Sequence, residues 1–243
     1  MRNTYALLIA GDEPRASEET EEFQRYLIDE ANFNPRMVQT MFVRAYNDYY
    51  LLDQVKNSLW IANTKAPNEP KVLIYCGGGA EGGICPVTKD SYANITYAPL
   101  NRHIRYEKLG GLFCDEERVL FINNCPYSGS AIPIFTNLGI LPKRGSVIAS
   151  AGSKELSSGE SFQNTLIDAF RQRKPYRKRK ILFRPETRYE KRIATLEQKF
   201  NPVSGRWENK GEKIVEHWYK TSPAITQHPQ RCGLSLDHLL FPL

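Results

Sequence analysis

The 243-residue chain has no run of 18 apolar residues, so no transmembrane helix is expected. It has only four histidines and five cysteines, and neither Cys-x-x-Cys nor His-x-x-x-His occurs. Cys76 and Cys85 stand nine apart and Cys114 and Cys125 eleven apart, so no metal site is expected. An odd cysteine count without a regular framework agrees with a reducing compartment. There is no internal repeat and no low-complexity tract, which argues against a solenoid or a phase-separating segment. The first apolar run, Tyr5 to Ala10, is too short for a signal-peptide core and ends in Gly11-Asp12-Glu13-Pro14. The N-terminus is also not an Arg- and Ser-rich transit peptide. An intracellular, cytoplasmic location is the default expectation, with a cytoskeletal or organellar assembly left open.

What is present is globular. Apolar residues make up 41% of the chain and charged residues 25%, which excludes wholesale disorder. The length suits one to two domains and is enough for a sizeable core. The net charge of +6 is unevenly spread. Residues 1–170 carry 16 basic and 20 acidic side chains, a net of −4, and residues 171–243 carry 17 and 7, a net of +10. A mildly acidic body is thus followed by a strongly basic tail.

In the body, short apolar runs alternate with helical patterns. Strands are expected at Tyr5–Ala10, Met37–Val43, Val72–Tyr75, Val119–Ile122 and Val147–Ala151. A helix over 18–32 is expected from acidic early turns and from Phe23, Tyr26, Leu27 and Ala31 on one face. A second helix follows Asn47-Asp48, with Leu51, Leu52, Val55 and Leu59 inward. A third spans 160–170, with Phe162, Leu166, Ile167 and Phe170 inward. Residues 84–112 read as mostly loop. The alternation implies a parallel-sheet α/β domain with its chemistry at the carboxyl ends of the strands.

Two loops fall at those ends. One is the run Gly77-Gly78-Gly79-Ala80-Glu81-Gly82-Gly83 after the third strand. It is readable as a phosphate cradle or, through Gly77-x-Gly79-x-x-Gly82, as a dinucleotide fingerprint. However, it lacks Gly-Lys-Ser/Thr, and Ile84-Cys85-Pro86 stands where the helix should begin. A third reading is an active-site or former active-site loop. The other loop is Asn123-Asn124-Cys125-Pro126-Tyr127-Ser128-Gly129, with a short helix expected from Ala131. A thiol at a strand-to-helix turn suits a nucleophile, and a free Cys is commonly a small buried hydrophobe.

The order of elements and both loops resemble the caspase and metacaspase superfamily of cysteine peptidases over about residues 4–170. Val72–Gly79 is similar to that family's strand followed by Tyr-Ser-Gly-His-Gly. Val119–Gly129 is similar to its strand followed by Asp-Ala-Cys-His-Ser-Gly. Residues 145–152 and 157–162 resemble the next strand and helix. The resemblance implies an αβα sandwich around a mostly parallel sheet, with Cys125 at the nucleophile position and Gly79 at the oxyanion position. The family's histidine falls on Gly78, which offers no base. The acidic residue two before the nucleophile becomes the uncharged Asn123, so a charge-assisted substrate contact is lost. The Pro126-Tyr127 segment is one residue longer than the family loop. His103, His217, His228 and His238 all lie off the expected loop. The resemblance thus implies a pseudopeptidase; the alternative is an active cysteine endopeptidase in which Cys125 works with a displaced base.

The tail opens with Arg171–Lys180, seven basic residues in ten. Such a block suits an acidic protein surface, an anionic membrane or nucleic acid, and the bland reading is a solvated linker. Ile181–Phe183 reads as one last strand added to the sheet, and 188–200 as a helix with Tyr189, Ile193, Leu196 and Phe200 at helical spacing. Beyond it, Trp207, Trp218 and the final Leu239-Leu240-Phe241-Pro242-Leu243 read as anchors on an extended segment. The expected organisation is a caspase-like domain over 1–184 and a basic C-terminal anchoring segment over 185–243. The protein would dock in a larger assembly through Arg177, Lys178, Arg179, Lys180, Trp207, Trp218 and Phe241. No cofactor motif is indicated.

Overall fold

The computed structural model describes residues 1–43, 48–85, 104–113, 118–157, 159–174, 181–183, 186–193, 198–201, 206–209, 214–221 and 225–242. Two compact units are distinguished: Met1–Ile181 together with Thr226–Leu243, and Leu182–Ile225.

In the first unit the expected strands form, as β1 (Tyr5–Ala10), β2 (Val38–Phe42) and β3 (Lys71–Cys76). Three short strands follow: β4 (Gly78–Ala80), β5 (Gly83–Cys85) and β6 (Ile104–Arg105). Then come β7 (Val119–Asn124) and β8 (Gly145–Ala149). The helices are α1 (Pro14–Arg25), α2 (Asp48–Lys65), α3 (Tyr106–Gly111), α4 (Ala131–Asn137) and α5 (Gly159–Arg171). Helix α1 starts at Pro14 rather than at the glutamates, because a proline is pre-organised for the first helical position. It runs on as a π-helical turn at Tyr26–Glu30.

The remaining strands are β9 (Ile181–Phe183), β10 (Glu186–Ile193), β11 (Gln198–Asn201), β12 (Arg206–Asn209), β13 (Ile214–Thr221), β14 (Ile225–Gln227) and β15 (Gln230–Gly233). The main sheet is six-stranded, ordered β15-β8-β7-β3-β1-β2. Five strands are parallel and β15 runs antiparallel to β8. The chain is therefore an α/β protein with helices on both faces of a mostly parallel sheet.

The two-residue alternation of the strands builds both cores. Tyr5, Leu7, Ile9, Leu73, Tyr75, Phe121 and Val147 face α2, α3 and α4. Leu8, Ile74, Leu120, Ile122 and Ile148 face α1 and α5, where they meet Phe23, Leu27, Phe162, Leu166 and Phe170. The central strands are buried on both faces, which is why they read as continuous apolar runs. Lys71, 1% exposed, opens β3 with its ammonium donating to the Ala66 and Glu69 carbonyls at 2.9 and 2.6 Å.

Four expectations are corrected. The described residues of 188–200 are not helical but belong to strands β10 and β11, and β10 finds an eight-residue partner in β13. Ile181–Phe183 is a strand, but it is not in the main sheet; β15 takes that edge. The region 84–112 contains β5, β6 and α3 among its described residues. The last 18 residues do not trail outward. Besides β15, the Arg2 guanidinium donates to the carbonyls of His238, Leu239 and Phe241, and Tyr26 Oη donates to Leu240 C=O at 2.6 Å. Arg231 pairs with the buried Asp237 at 2.7 Å. This segment carries Leu236, Leu239 and Leu240, which join the α1/α5 core. The first unit leaves off at Ile181 and resumes at Thr226.

The second unit is built of antiparallel ribbons. In β10 and β13, Tyr189 stands opposite Trp218 and Ile193 opposite Ile214; in β11 and β12, Phe200 stands opposite Trp207. Among the described residues no helix is long and apolar enough to cross a membrane.

Candidate functional site

Parallel strands bring their carboxyl ends to one edge. In register, Ala10 lies beside Cys76, Cys76 beside Asn124, and Asn123 beside Ala149. Cys125 leaves β7 at this edge and starts the turn into α4. Tyr127 takes a left-handed backbone conformation at φ 58°, an uncommon state for a non-glycine residue. Hydroxyls hold the turn. Ser150 Oγ donates to Cys125 C=O at 3.0 Å, Ser130 Oγ donates to Tyr127 C=O at 2.7 Å, and Ser128 Oγ accepts from the Ala151 N–H at 3.0 Å. Gln227 reaches in from the returning segment, donating to Ser150 C=O and to Ser157 Oγ.

The thiol itself is enclosed. Cys125 is 1% exposed; its Sγ donates to Asn123 Oδ1 at 3.2 Å and lies 3.8 Å from Tyr106 Oη. The Asn123 Nδ2 donates in turn to Tyr106 Oη at 2.7 Å and to Ser128 C=O at 3.4 Å. Burial is the largest influence on the thiol and pushes its pKa well above the usual thiol range. Cys85 and Glu13 push the same way, and the Tyr106 hydrogen bond pulls the other way without prevailing. A thiol so placed stays protonated at neutral pH, and the thiol form is the poor nucleophile.

The glycine run is a β-hairpin. Gly78 pairs with Cys85 and Gly79 with Ile84. No helix begins at its last glycine, so neither the phosphate-cradle nor the dinucleotide reading stands. Gly78 C=O accepts from Tyr75 Oη at 2.8 Å. Gly79 is packed directly against the Cys125 loop. A Cβ there would lie 2.1 Å from Pro126 O and 2.7 Å from Cys125 Sγ. Only glycine permits that approach.

The structure thus brings together Cys125, Asn123 and Gly79, with Gly78 on the same hairpin. No imidazole of a described residue hydrogen-bonds the thiol. The His228 ring is paired with Glu155 at 2.6 Å and His238 Nδ1 with Ser235 C=O at 3.1 Å. His217 lies in β13 of the second unit, and His103 falls outside the described residues. Among the described residues no group of His, Cys, Asp and Glu is arranged to hold a metal ion. Arg177, Lys178, Arg179 and Lys180 lie outside the described residues, and Trp207 and Trp218 sit in β12 and β13. Phe241 is half-buried, with its ring 6.2 Å from that of Phe170.

Tyr106 is the site residue that sequence reading missed. It opens α3 inside a region read as loop, and the signal was there in Tyr106, Leu109 and Phe113 at helical spacing. All three are buried.

No family model and no curated protein sequence matches the chain. Among solved structures it is similar to Raptor from Chaetomium thermophilum, with 13% identity over 70% of this chain and 18% of that one, and a TM-score of 0.45. It is also similar to a secreted C11 cysteine protease from Bacteroides thetaiotaomicron, solved with an irreversible peptide inhibitor, with 15% identity, 69% and 53% coverage, and a TM-score of 0.40. The chain spans about a fifth and about half of those two chains.

Proposed function

We propose that the chain is a caspase-like domain without peptidase activity that serves as a structural or interaction subunit of a larger assembly. The observation that supports this most is the Cys125 environment. The thiol is buried, hydrogen-bonded to Asn123 and pressed against Gly79, and a glycine holds the position that the sequence resemblance assigns to the base. A nucleophilic thiol needs a base within about 3 Å and an open approach for substrate. On this reading the closed site is a packing feature. Contact with the assembly falls to the basic stretch Arg177, Lys178, Arg179 and Lys180 and to Trp207 and Trp218. The basic stretch steers an acidic protein surface and the tryptophans anchor it.

Two experiments test the reading. A thiol-reactive peptidomimetic is expected to leave folded wild type and Cys125→Ala equally unlabelled. Labelling that Cys125→Ala abolishes would instead establish the active endopeptidase. For the assembly role, neutralising Arg177 to Lys180 or changing Trp207 and Trp218 to Ala should release the chain from its native complex. Unchanged co-sedimentation would refute it. If the basic stretch instead binds nucleic acid, affinity will fall steeply with salt.

A further inference from the structure

Asn124 is the last residue of β7, and its side chain lies on the sheet face opposite Asn123. Its Nδ2 donates to Glu19 Oε2 at 2.9 Å and to Gly159 C=O at 3.2 Å. Its Oδ1 is buried and accepts no hydrogen bond from any described residue. Exchanging amide nitrogen and oxygen gives no remedy, because an oxygen would then face Glu19 and the Gly159 carbonyl. An empty buried acceptor is costly, so a donor is missing. The carboxyl already touching this amide can supply one if it carries a proton.

We propose that Glu19 is protonated in the folded chain and donates to Asn124 Oδ1, so that a neutral acid–amide pair fastens α1 and α5 to the end of β7, and that ionisation of Glu19 undoes the fastening. The geometry is close. A Cβ at Gly159 would lie 2.3 Å from Glu19 Oε1, so α5 starts directly against the carboxyl. From α5, Gln163 Nε2 also donates to the Glu19 carbonyl at 2.9 Å and to Glu22 Oε2 at 3.0 Å.

The charged and titratable surroundings agree. Glu13 ahead of α1, Glu22 on α1 and Glu160 on α5 all disfavour a second negative charge. Arg15 favours it, and Arg15 lies 3.8 Å from Glu160 in an exposed pair. Cys76 on β3, beside Asn124, is buried and held as the neutral thiol. Burial is the largest influence on Glu19, and together with these carboxylates it raises the group from 4.5 to about 8. The sign follows. Between 4.5 and about 8 the folded chain holds one proton more than the unfolded chain, so stability falls as pH rises through that window and levels off above it. The ionisation moves only a proton, from the carboxyl to solvent. Asn124 directly precedes Cys125, so the fastened strand end adjoins the site turn whether or not the thiol is catalytic.

The test uses the full chain labelled with carboxyl-carbon-13 glutamate and titrated by NMR, alongside urea unfolding across the same pH range. One glutamate is expected to titrate near 8 and to be missing in Glu19→Gln. Glu160→Gln, at an exposed neighbour, should move that midpoint down. The wild-type unfolding constant should rise by up to about tenfold per pH unit within the window, while Glu19→Gln, which keeps an N–H for Asn124 Oδ1, should stay flat. If Glu19→Gln does not fold, the wild-type titration and its shift in Glu160→Gln still decide. A Glu19 midpoint in the ordinary carboxyl range, or equal pH slopes in wild type and Glu19→Gln, overturns the proposal.

Discussion

Asn123 and Asn124 are the same residue type, adjacent in sequence and both buried, yet β7 turns them to opposite faces. Asn123 has both ends of its amide engaged by neutral groups: the Cys125 thiol, the Tyr106 hydroxyl and the Ser128 carbonyl. Asn124 meets a carboxyl, and its oxygen is left without a described donor. One face is a completed hydrogen-bond network, and the other depends on a proton that solvent can remove. The surroundings, not the residue type, decide what a buried amide does.

That contrast can be broken from either side. The largest effect is expected from Gly79→Ala, which forces a methyl against Pro126 O and Cys125 Sγ. A cost of about 3 kcal/mol, the upper end of ordinary overpacking, should show as a lower urea midpoint. Next comes the pair Asn123→Ala and Asn124→Ala. The first strands a thiol, a hydroxyl and a carbonyl and should cost about 2–2.5 kcal/mol. The second strands only the Glu19 carboxyl and the Gly159 carbonyl, fewer groups than the first, and should cost about 1–2 kcal/mol. Equal losses in urea unfolding would erase the asymmetry.

Tyr106→Phe should cost about 1–2 kcal/mol by leaving Asn123 Nδ2 short of an acceptor. It also removes the hydrogen bond that pulls the Cys125 pKa down, so alkylation of the thiol in the folded chain should require still higher pH. The smallest effect is expected from Arg171→Ala, which removes a two-point contact with Glu30 at 2.7 and 2.8 Å on the exposed side of α5. About 0.5 kcal/mol should be lost. That loss should be confined to pH above the ordinary carboxylate range and vanish on acidification, because Glu30 is held below its usual value by Arg171. Unfolding measured at acid and neutral pH would separate this response from that of Glu19, which has the opposite sign.

Much of the fold was legible because periodicity is a local property. Strands β1, β2, β3, β7 and β8 and helix α5 each carry their own apolar pattern, and the Cys125 and glycine loops follow directly from strand ends. What escaped the reading depends on distant partners. Residues 188–200 have helical spacing at Tyr189, Ile193, Leu196 and Phe200, yet pairing with residues beyond 205 makes strands of the described parts. Cross-strand partners override a local periodicity. The terminal leucines and Phe241 read as exposed anchors because nothing near them in sequence covers them. Arg2, Tyr26 and Phe170 do so from far away.

By itself the sequence determined an alternating α/β chain with a thiol at one strand end, a glycine run at another, and a basic tail, since composition, order and spacing are written residue by residue. Only the tertiary structure decided that Tyr106 lies within reach of that thiol and that Gly79 packs against it. It alone brought Glu19 and Gln163 to the far face of β7 and returned the chain terminus to the sheet. Burial and hydrogen-bond partnership belong to pairs of residues distant along the chain, and no local pattern encodes them.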